Sequence, residues 1–347
     1  MSLRDNRLVR EPIPMSIVRL VGRVDEFKGR QQLYFQQSPQ ILESLRRVAI
    51  IQSTESSNRI EGIEIPHRQL RAIVEENLSP SNRSQGEVAG YRDVLATIHA
   101  SYPHIPVTPN VILQLHRDLH KYVATEGGKW KIADNTIDQI MPDGTHVVRF
   151  SPVSVALTPQ AMDELCSARQ QYDDAQDVAS LLLTASFVLD FLCIHPFLDG
   201  NGRIARLLTL LLLYQSGYEV GRFISLERVI EDSRDSYYDA LYESSQGWHE
   251  GKHSLLPWWE YFLGVMVAAY DEFESRVGKV SAGRGAKSGL VRQMVERTIG
   301  DFSISELLNI CPGVSRPLVR QVLKQMRSEG LIVCTGLGVQ ARWRKTV

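Results

Sequence analysis

Apolar residues recur three and four positions apart over most of the chain, and this spacing predicts a largely helical protein. Residues 39–51 show the pattern clearly, because their apolar side chains would share one helix face. The same spacing predicts further helices over 66–77, 86–100, 108–122, 158–173, 177–194, 203–216, 232–244, 257–277, 303–309 and 315–328. Long alternating runs typical of strands are scarce, so we expect an all-α fold.

One internal segment, residues 127–156, departs from the helical pattern. It contains the turn sequence Pro142-Asp143-Gly144, and residues 145–150 form a short run with β-strand preference. We therefore expect a small β-hairpin within the helical body.

The C-terminal part has a different organisation. Residues 278–289, GKVSAGRGAKSG, are small, flexible and basic, as is typical of a linker. Two predicted helices joined by a Pro-Gly turn then precede two strand-like segments, which is the order of a winged helix. The predicted organisation is a helical region (1–94), a central helical domain (95–277), the linker and a winged-helix domain (290–347).

The overall composition is that of an ordinary globular protein, but the charge is unevenly distributed. The 347 residues are 43% hydrophobic and 23% charged, with a formal net charge of −1, which excludes a uniformly basic nucleic-acid coat protein. Residues 279–347 contain 12 Lys and Arg against 4 Asp and Glu, whereas the preceding residues contain 27 against 36. The C-terminal part is therefore basic and the body acidic.

Cysteine usage and the N-terminal sequence bear on the expected compartment. The scattered Cys166, Cys193, Cys311 and Cys334 form no C-x-x-C pair, so we expect free thiols in a reducing compartment. The first residues lack the apolar core of a signal peptide, and no apolar segment is long enough to span a membrane. We expect a cytoplasmic protein.

The most polar motif of the chain directly follows its most hydrophobic predicted helix. Residues 177–194 are apolar around nearly the whole helix circumference, which predicts a helix at the centre of a bundle. Pro196 ends this helix within the motif HPFLDGNGRIAR, which occupies His195–Arg206. Its Gly-Asn-Gly turn would gather backbone amides at the start of another helix, an arrangement that binds anions.

The side chains of this motif suit a nucleoside triphosphate and its metal ion. Asn201 and the turn amides would surround one phosphate, and Arg203 and Arg206 would bind the others. Asp199 would hold a magnesium ion, and His195 would act as a general base. Each residue alone also has an ordinary structural explanation as a helix cap, a solvated cation or a terminal residue of a helix.

All fixed positions of these twelve residues match the signature H-P-F-x-D-G-N-G-R-x-x-R, so the chain resembles the Fic domain family. The resemblance covers roughly residues 95–270 in helix order and hairpin position, and it implies a Fic helical bundle for the central domain. Most members transfer AMP from ATP to a hydroxyl side chain of a target protein. The resemblance thus implies a protein adenylyltransferase, a nucleotidyltransferase that uses ATP and Mg²⁺ and modifies Ser, Thr or Tyr. A minority of relatives transfer UMP, phosphocholine or phosphate, so base selectivity stays open.

The resemblance also implies a role for each residue of the signature. His195 would remove the proton of the attacking hydroxyl, Asp199 would hold Mg²⁺, and Phe197 would anchor the loop. Arg203 would bind the β-phosphate and Arg206 the γ-phosphate. The residues that would stabilise the charge on the α-phosphate are Gly200, Asn201 and Gly202.

Two further features are assigned by the resemblance with weaker support from the residues themselves. The hairpin at Asp143–Phe150 resembles the family's flap, which binds the target backbone as an added strand. Tyr237 and Tyr238 are candidates for the wall of the adenine pocket, although packing in the core explains either one equally well.

A second motif, SSNRIEG, ends at Gly62. Ser57 and Glu61 are four residues apart, hence on one helix face, and Gly62 suits a helix C-cap. Alone, Glu61 reads as a surface residue at a helix end. The pattern S-x-x-x-E-G also matches the family's inhibitory motif, which implies that Glu61 competes with ATP for Arg206. A role for Glu61 in removing AMP stays open.

The basic C-terminal region supports a different class of function. Its cations are spaced along the presumed recognition helix and in the wing: Arg316, Arg320, Lys324, Arg327, Arg342, Arg344 and Lys345. They predict DNA binding, with protein contact as the alternative. The chief rival to the enzyme is therefore a DNA-binding transcriptional regulator whose Fic-like body senses a nucleotide. The sequence does not identify the target protein, and a homodimer is an expectation from the resemblance only.

Overall fold

The chain is described by a computed structural model over residues 1–37, 39–76, 78–140, 146–281, 286–298, 301–311, 314–336 and 341–346. Within these residues there are fifteen α-helices and two antiparallel two-stranded sheets, so the predicted all-α class is confirmed. The predicted Pro142-Asp143-Gly144 turn lies outside the described residues.

The helices before the signature are α1 (Arg7–Arg10), α2 (Met15–Gln37), α3 (Pro39–Ile60), α4 (His67–Glu76), α5 (Arg83–Ser101), α6 (Pro109–Leu119), α7 (Thr158–Ala175) and α8 (Ser180–Ile194). The helices that follow are α9 (Asn201–Gln215), α10 (Leu226–Asp232), α11 (Arg234–Ser245), α12 (Leu256–Ser281), α13 (Ala286–Arg297), α14 (Ile304–Ile310) and α15 (Arg316–Ser328). The strands are β1 (Ile137–Ile140), β2 (His146–Phe150), β3 (Ile332–Thr335) and β4 (Arg342–Lys345).

The centre of the body is α8, as its all-round hydrophobicity predicts. Every residue from Leu181 to Ile194 is buried, and α7, α9, α11 and α12 pack around the helix. α9 runs on from the same loop and contacts α3, α5 and α6. The core helix therefore delivers its C-terminal end directly to the signature loop.

Several elements differ from the prediction. α2 and α10 were not predicted, although Ile17, Val24 and Phe27 of α2 are buried at helical spacing against the main core. α3 continues to Ile60, beyond the predicted end at residue 51, because its later polar residues lie in the protein interior. These polar positions obscure the apolar pattern on which the sequence prediction depended.

The predicted β-hairpin is present. β1 and β2 pair antiparallel with Ile140 opposite His146 and Asp138 opposite Val148, and the register shifts between Ile137 and Asp138. β2 contacts α11, which places the hairpin beside the helical body.

The C-terminal unit, defined here as α13 to β4, contains the two predicted helices, α14 and α15, followed by the antiparallel strands β3 and β4, and the additional helix α13 precedes them. The predicted Pro312-Gly313 turn lies outside the described residues. Phe302 forms a bridge to Trp343 of β4, and the apolar residues of the unit form their own buried cluster. Within the predicted linker over 278–289, α12 runs to Ser281 and α13 starts at Ala286. Residues 282–285 lie outside the described part. None of the described helices is long and apolar enough to cross a bilayer.

Asp190 is the main polar group inside α8, and it generates a prediction about stability. Its carboxylate accepts hydrogen bonds from the Ser2 and Leu3 amides, the Ser2 hydroxyl and the Trp248 indole N–H, at 2.6 to 3.1 Å. We expect Asp190→Ala to lower the free energy of unfolding by about 3 kcal/mol or more, because these buried donors lose their acceptor. Urea denaturation measures the change. The control is Asp174→Ala on exposed α7 surface, and an equal effect of both substitutions would contradict the prediction.

Candidate active site

The signature loop begins where α8 ends at His195. This residue adopts the left-handed conformation (φ 51°, ψ 60°), and its backbone N–H still donates to the Phe191 carbonyl at 2.9 Å. The left-handed region is uncommon for a residue other than glycine, so the surrounding structure must hold His195 in place. Pro196 then prevents the helix from continuing.

The imidazole of His195 is set up to accept a proton. Its Nδ1 lies 3.3 Å from the Leu192 carbonyl oxygen, which can only accept, so Nδ1 is the protonated nitrogen in this contact. Nε2 then carries the free lone pair. Burial lowers the pKa of His195 to about 4, so the ring is neutral at physiological pH.

Phe197 and Asn201 brace the loop from within. The Asn201 side chain accepts from the Phe197 amide at 2.9 Å and donates to the Phe197 carbonyl at 2.7 Å. Phe197 is fully buried, as expected of an anchor, and its ring stacks on His116 with a centroid distance of 3.7 Å. Since the Asn201 side chain is engaged by the loop, the group this residue can offer a ligand is its backbone N–H.

The glycines allow the loop to lead into α9 at close quarters. Gly200 has φ +83°, and a Cβ there would lie 3.1 Å from the His120 ring. α9 starts at the next residue, and the N–H groups of a first helical turn have no acceptor within the helix. These amides and the helix dipole favour an anion at this position.

Arg206 contacts two residues of the motif SSNRIEG. It is 4% exposed, its Nε donates to the Ser57 hydroxyl at 2.8 Å, and its Nη2 donates to the Ser57 carbonyl at 2.8 Å and to Glu61 Oε1 at 2.7 Å. Burial by itself lowers the pKa of Arg206, but the Glu61 carboxylate raises it above its usual value. The guanidinium therefore stays charged in the interior.

Glu61 lies in the space that a ligand anion would use at the start of α9. A Cβ built on Gly202 would come within 2.2 Å of Glu61 Oε1, so only glycine leaves room for the carboxylate. Gly62, with φ +77°, ends the turn after α3, and its N–H donates to the Arg59 carbonyl at 2.9 Å. The sequence-based assignment of Gly62 as a helix C-cap is confirmed.

Arg203 has a separate set of acidic partners. It is 1% exposed, its Nη1 donates to Glu87 Oε2 at 2.9 Å, and its Nη2 donates to Asp199 Oδ1 at 3.4 Å. Arg83 contacts both of these carboxylates, with Nε donating to Glu87 Oε1 at 2.7 Å and Nη2 lying 3.7 Å from Asp199 Oδ2. Sequence reasoning missed Glu87 because it stands alone on α5, far from the signature.

His116 is the second functional residue that sequence reasoning missed. Its Nδ1 accepts from the Gly128 amide at 2.9 Å, so the protonated Nε2 donates to the Asp199 carbonyl at 3.1 Å. Burial, with a further contribution from His120, lowers the pKa of His116 to about 4, which suits this neutral form. The ring thereby fixes the loop backbone at Asp199.

Asp199 is the residue for which the sequence analysis predicts a magnesium ion. Its side chain is 48% exposed, and one oxygen accepts from the Gly200 amide at 2.6 Å. Among the described residues there is no group of three or more His, Cys, Asp and Glu side chains that would hold a metal by themselves. A single carboxylate suits Mg²⁺, which takes most of its ligands from substrate phosphates and water.

The two tyrosine candidates for the adenine pocket are in different environments. Tyr237 is 4% exposed, packs against Trp258 and Tyr261, and has its pKa raised by burial while the charge of Arg206 opposes the shift. Tyr238 is 44% exposed and lies under the Arg234 guanidinium. The structure thus brings Tyr237 close to Arg206 within the core, and contact of either ring with a base stays a prediction.

Comparison with known proteins agrees with the geometry. Residues 106–213 match the sequence model described as the Fic/DOC family. Proteins named "Protein adenylyltransferase Fic" from Drosophila willistoni and Drosophila melanogaster are 26% and 27% identical over 211 residues. Each match covers 59% of this chain and 39% of the relative, so the chain spans about two fifths of the curated relatives it matches.

Two solved structures share the fold. A Fic family protein from Desulfovibrio desulfuricans G20 has a TM-score of 0.61 at 21% identity and covers 97% of both chains. A Fic-domain signalling protein from Bacteroides thetaiotaomicron VPI-5482 has a TM-score of 0.63 at 20% identity and covers 74% of this chain and 97% of its own. The complete signature on the loop after α8 lies within residues 106–213, the part of the chain that matches the Fic/DOC family.

Proposed function

We propose that this chain is a protein adenylyltransferase that transfers AMP from ATP to a Ser, Thr or Tyr hydroxyl of another protein. The observation that carries the proposal is the loop after α8, where a neutral His195, the Asp199 carboxylate and the N-terminus of α9 converge. The printed name of the Drosophila relatives supports the same reaction.

Each group of the loop has a defined part in the reaction. Nε2 of His195 takes the proton of the target hydroxyl while that oxygen attacks the α-phosphorus in line. The bond from the α-phosphorus to the bridging oxygen breaks, and pyrophosphate leaves with the electron pair. The backbone N–H groups of Asn201 and Gly202 stabilise the added negative charge, and Arg203 and Arg206 bind the β- and γ-phosphates. Asp199 would hold a Mg²⁺ ion, which would supply positive charge to the phosphates of ATP.

The contact between Glu61 and Arg206 makes the described conformation an inhibited one. Arg206 cannot give the same N–H group to Glu61 and to a γ-phosphate, so ATP binds productively only when the carboxylate leaves. A charge-assisted pair of this kind contributes about 1.5–3 kcal/mol, which is on the order of a hundredfold in productive binding.

The hairpin suits the recognition of a polypeptide. β2 pairs with β1 along one edge, and Val147 and Val148 expose about half of their surface. We propose that the target adds its backbone as a strand at this hairpin, which orients a hydroxyl toward the loop with little demand on the target's side chains.

A second candidate function, DNA binding, is supported by α15. We propose that the C-terminal unit is a winged-helix domain with α15 as its recognition helix. Arg320, Lys324 and Arg327 are exposed on one stripe of this helix, and no acidic partner for them is found among the described residues. The wing cations differ, because Arg342 and Arg344 form ion pairs with Glu306 and Asp301.

Relief of inhibition gives the first test. We expect Glu61→Gly to raise label incorporation from α-labelled ATP on the order of a hundredfold over the unmodified protein, because Arg206 is freed. Incorporation into the protein itself or into a lysate is measured with α-labelled and γ-labelled ATP in parallel. The control is Glu61→Gly with His195→Ala, which should incorporate no label. Equal activity with and without Glu61 would contradict inhibition, and label from the γ position would contradict AMP transfer.

The state of His195 gives a prediction about pH. We expect the His195 ring to titrate near pH 4, well below its usual value of 6.5, because burial disfavours the charged form. The base form is then present above that pH and is lost as the pH falls through it. NMR titration of the ring C–H signals measures this pKa. In Glu61→Gly the pKa should fall further, since the carboxylate raises it. A midpoint at 6.5 or above would contradict the buried, neutral ring.

Salt-dependent binding of duplex DNA tests the second candidate. We expect the double substitution Arg320→Ala with Lys324→Ala to weaken DNA binding, because two phosphate contacts are lost. The slope of the logarithm of the binding constant against the logarithm of the salt concentration should become smaller in magnitude by about 2. Binding is followed by fluorescence anisotropy between about 50 and 200 mM salt, because affinity that depends on phosphate contacts changes strongly over this range. The matched control is Arg342→Ala with Arg344→Ala. An equal or larger effect of the control would contradict the assignment to α15.

A further inference from the structure

Glu87 is a buried carboxylate outside the signature that contacts the signature directly. It lies on α5, is 5% exposed, and binds one arginine with each oxygen. Oε2 accepts from Nη1 of Arg203 at 2.9 Å, and Oε1 accepts from Nε of Arg83 at 2.7 Å. Of these two arginines, only Arg203 is buried.

The buried guanidinium of Arg203 needs an anionic partner, and its two partners, Glu87 and Asp199, are not equivalent. The contact to Glu87 is 2.9 Å long and lies in the interior, whereas the contact to Asp199 is 3.4 Å long and that side chain is half exposed. An unpaired charge in the interior is strongly unfavourable. Glu87 is therefore the stronger anchor of the guanidinium.

The four charged groups form a closed ring, in which Arg83 links Glu87 to Asp199 and Arg203 links them again. If Asp199 turns to a metal ion, both arginines lose this partner, and Glu87 alone holds Arg203. Arg203 still has donors to give, because its buried Nε has no hydrogen-bond partner among the described residues.

We propose that Glu87 is a positioning residue for phosphate binding: it keeps the Arg203 guanidinium beside the loop, where the β-phosphate binds. The inference rests on the proposed function for the identity of that phosphate. Glu87 touches neither the substrate nor the reacting atoms, and it acts through Arg203. If Glu87 served only to neutralise Arg203, its substitution would lower the stability of the protein. The affinities for different phosphate ligands would then all change equally or all stay unchanged.

The experiment compares phosphate ligands in the Glu61→Gly background, where Arg206 is free. Calorimetry measures the binding of ATP, ADP, AMP and tripolyphosphate, each with Mg²⁺, to protein with and without Glu87→Gln. We expect Glu87→Gln to weaken the binding of ATP, ADP and tripolyphosphate about tenfold or more, because a charged hydrogen bond no longer orients Arg203. AMP has no β-phosphate, so its affinity should change by less than about twofold.

The matched control is Glu219→Gln, which removes a half-buried carboxylate paired with Arg222 in the segment after α9. Thermal unfolding of every variant separates lost stability from lost phosphate binding. The control should bind all four ligands as the parent does. If Glu87→Gln lowers only the unfolding temperature, or weakens AMP binding as much as ATP binding, Glu87 is not a positioning residue.

A double-mutant cycle tests whether Glu87 acts through Arg203. Arg203→Gln should by itself weaken ATP binding. In the Arg203→Gln background, Glu87→Gln should weaken ATP binding further by less than about twofold. Independent, additive losses would overturn the inference.

Tripolyphosphate separates this inference from the proposed function, because it has no base and no AMP to transfer. If its binding depends on Glu87 but no α-label is transferred, the inference stands and the adenylyltransferase proposal falls. If label is transferred and Glu87→Gln binds ATP unchanged, the inference falls alone. Failure of every variant to bind either ATP or tripolyphosphate would overturn both.

Discussion

The burial of two guanidinium groups on one helix is the constraint on which the rest of this structure depends. Arg203 and Arg206 are 1% and 4% exposed at the start of α9. Because an uncompensated charge in the interior is strongly unfavourable, each must meet an anion. In the described conformation the anions are Glu87 on α5 and Glu61 after α3. The packing of the N-terminal helices against α9 therefore also pairs buried charges of opposite sign, and the proposed function adds a triphosphate as a further anionic partner.

The rigidity of the loop has a different origin, which is apolar and aromatic. Phe197 stacks against His116 and Trp130, and the Asn201 side chain forms two hydrogen bonds with the backbone of the same loop. These contacts hold His195 in a left-handed conformation that would otherwise be unfavourable. The charged groups can then exchange partners while the backbone that presents them keeps its shape. A preorganised backbone of this kind is what electrostatic stabilisation of a transferring phosphate requires.

Much of this site could be predicted from local sequence. The hydrophobic helix, the helix-stopping Pro196 and the glycines of the turn act within a few residues of one another, so their spacing is informative. The motif around Glu61 was found through the family resemblance, because its residues alone indicate only a surface glutamate at a helix end. Glu87 and His116 could not be found this way, since each meets the loop from a helix that is remote in sequence. α3 was predicted too short for a related reason: its polar residues are buried by neighbours that the local pattern does not contain.

The sequence by itself determined the helical class, the loop after α8 and the chemistry of that loop, because these depend on short-range spacing and on residue type. The tertiary structure decided which anion each arginine meets, which histidine holds Asp199 and which cations of α15 have no acidic partner in the described part of the chain. Those outcomes depend on distances between helices, and a residue's partners across such an interface are set by the packing of the whole body. Because the buried arginines must pair with acidic groups on neighbouring helices, the packing of these helices also determines the geometry of the site.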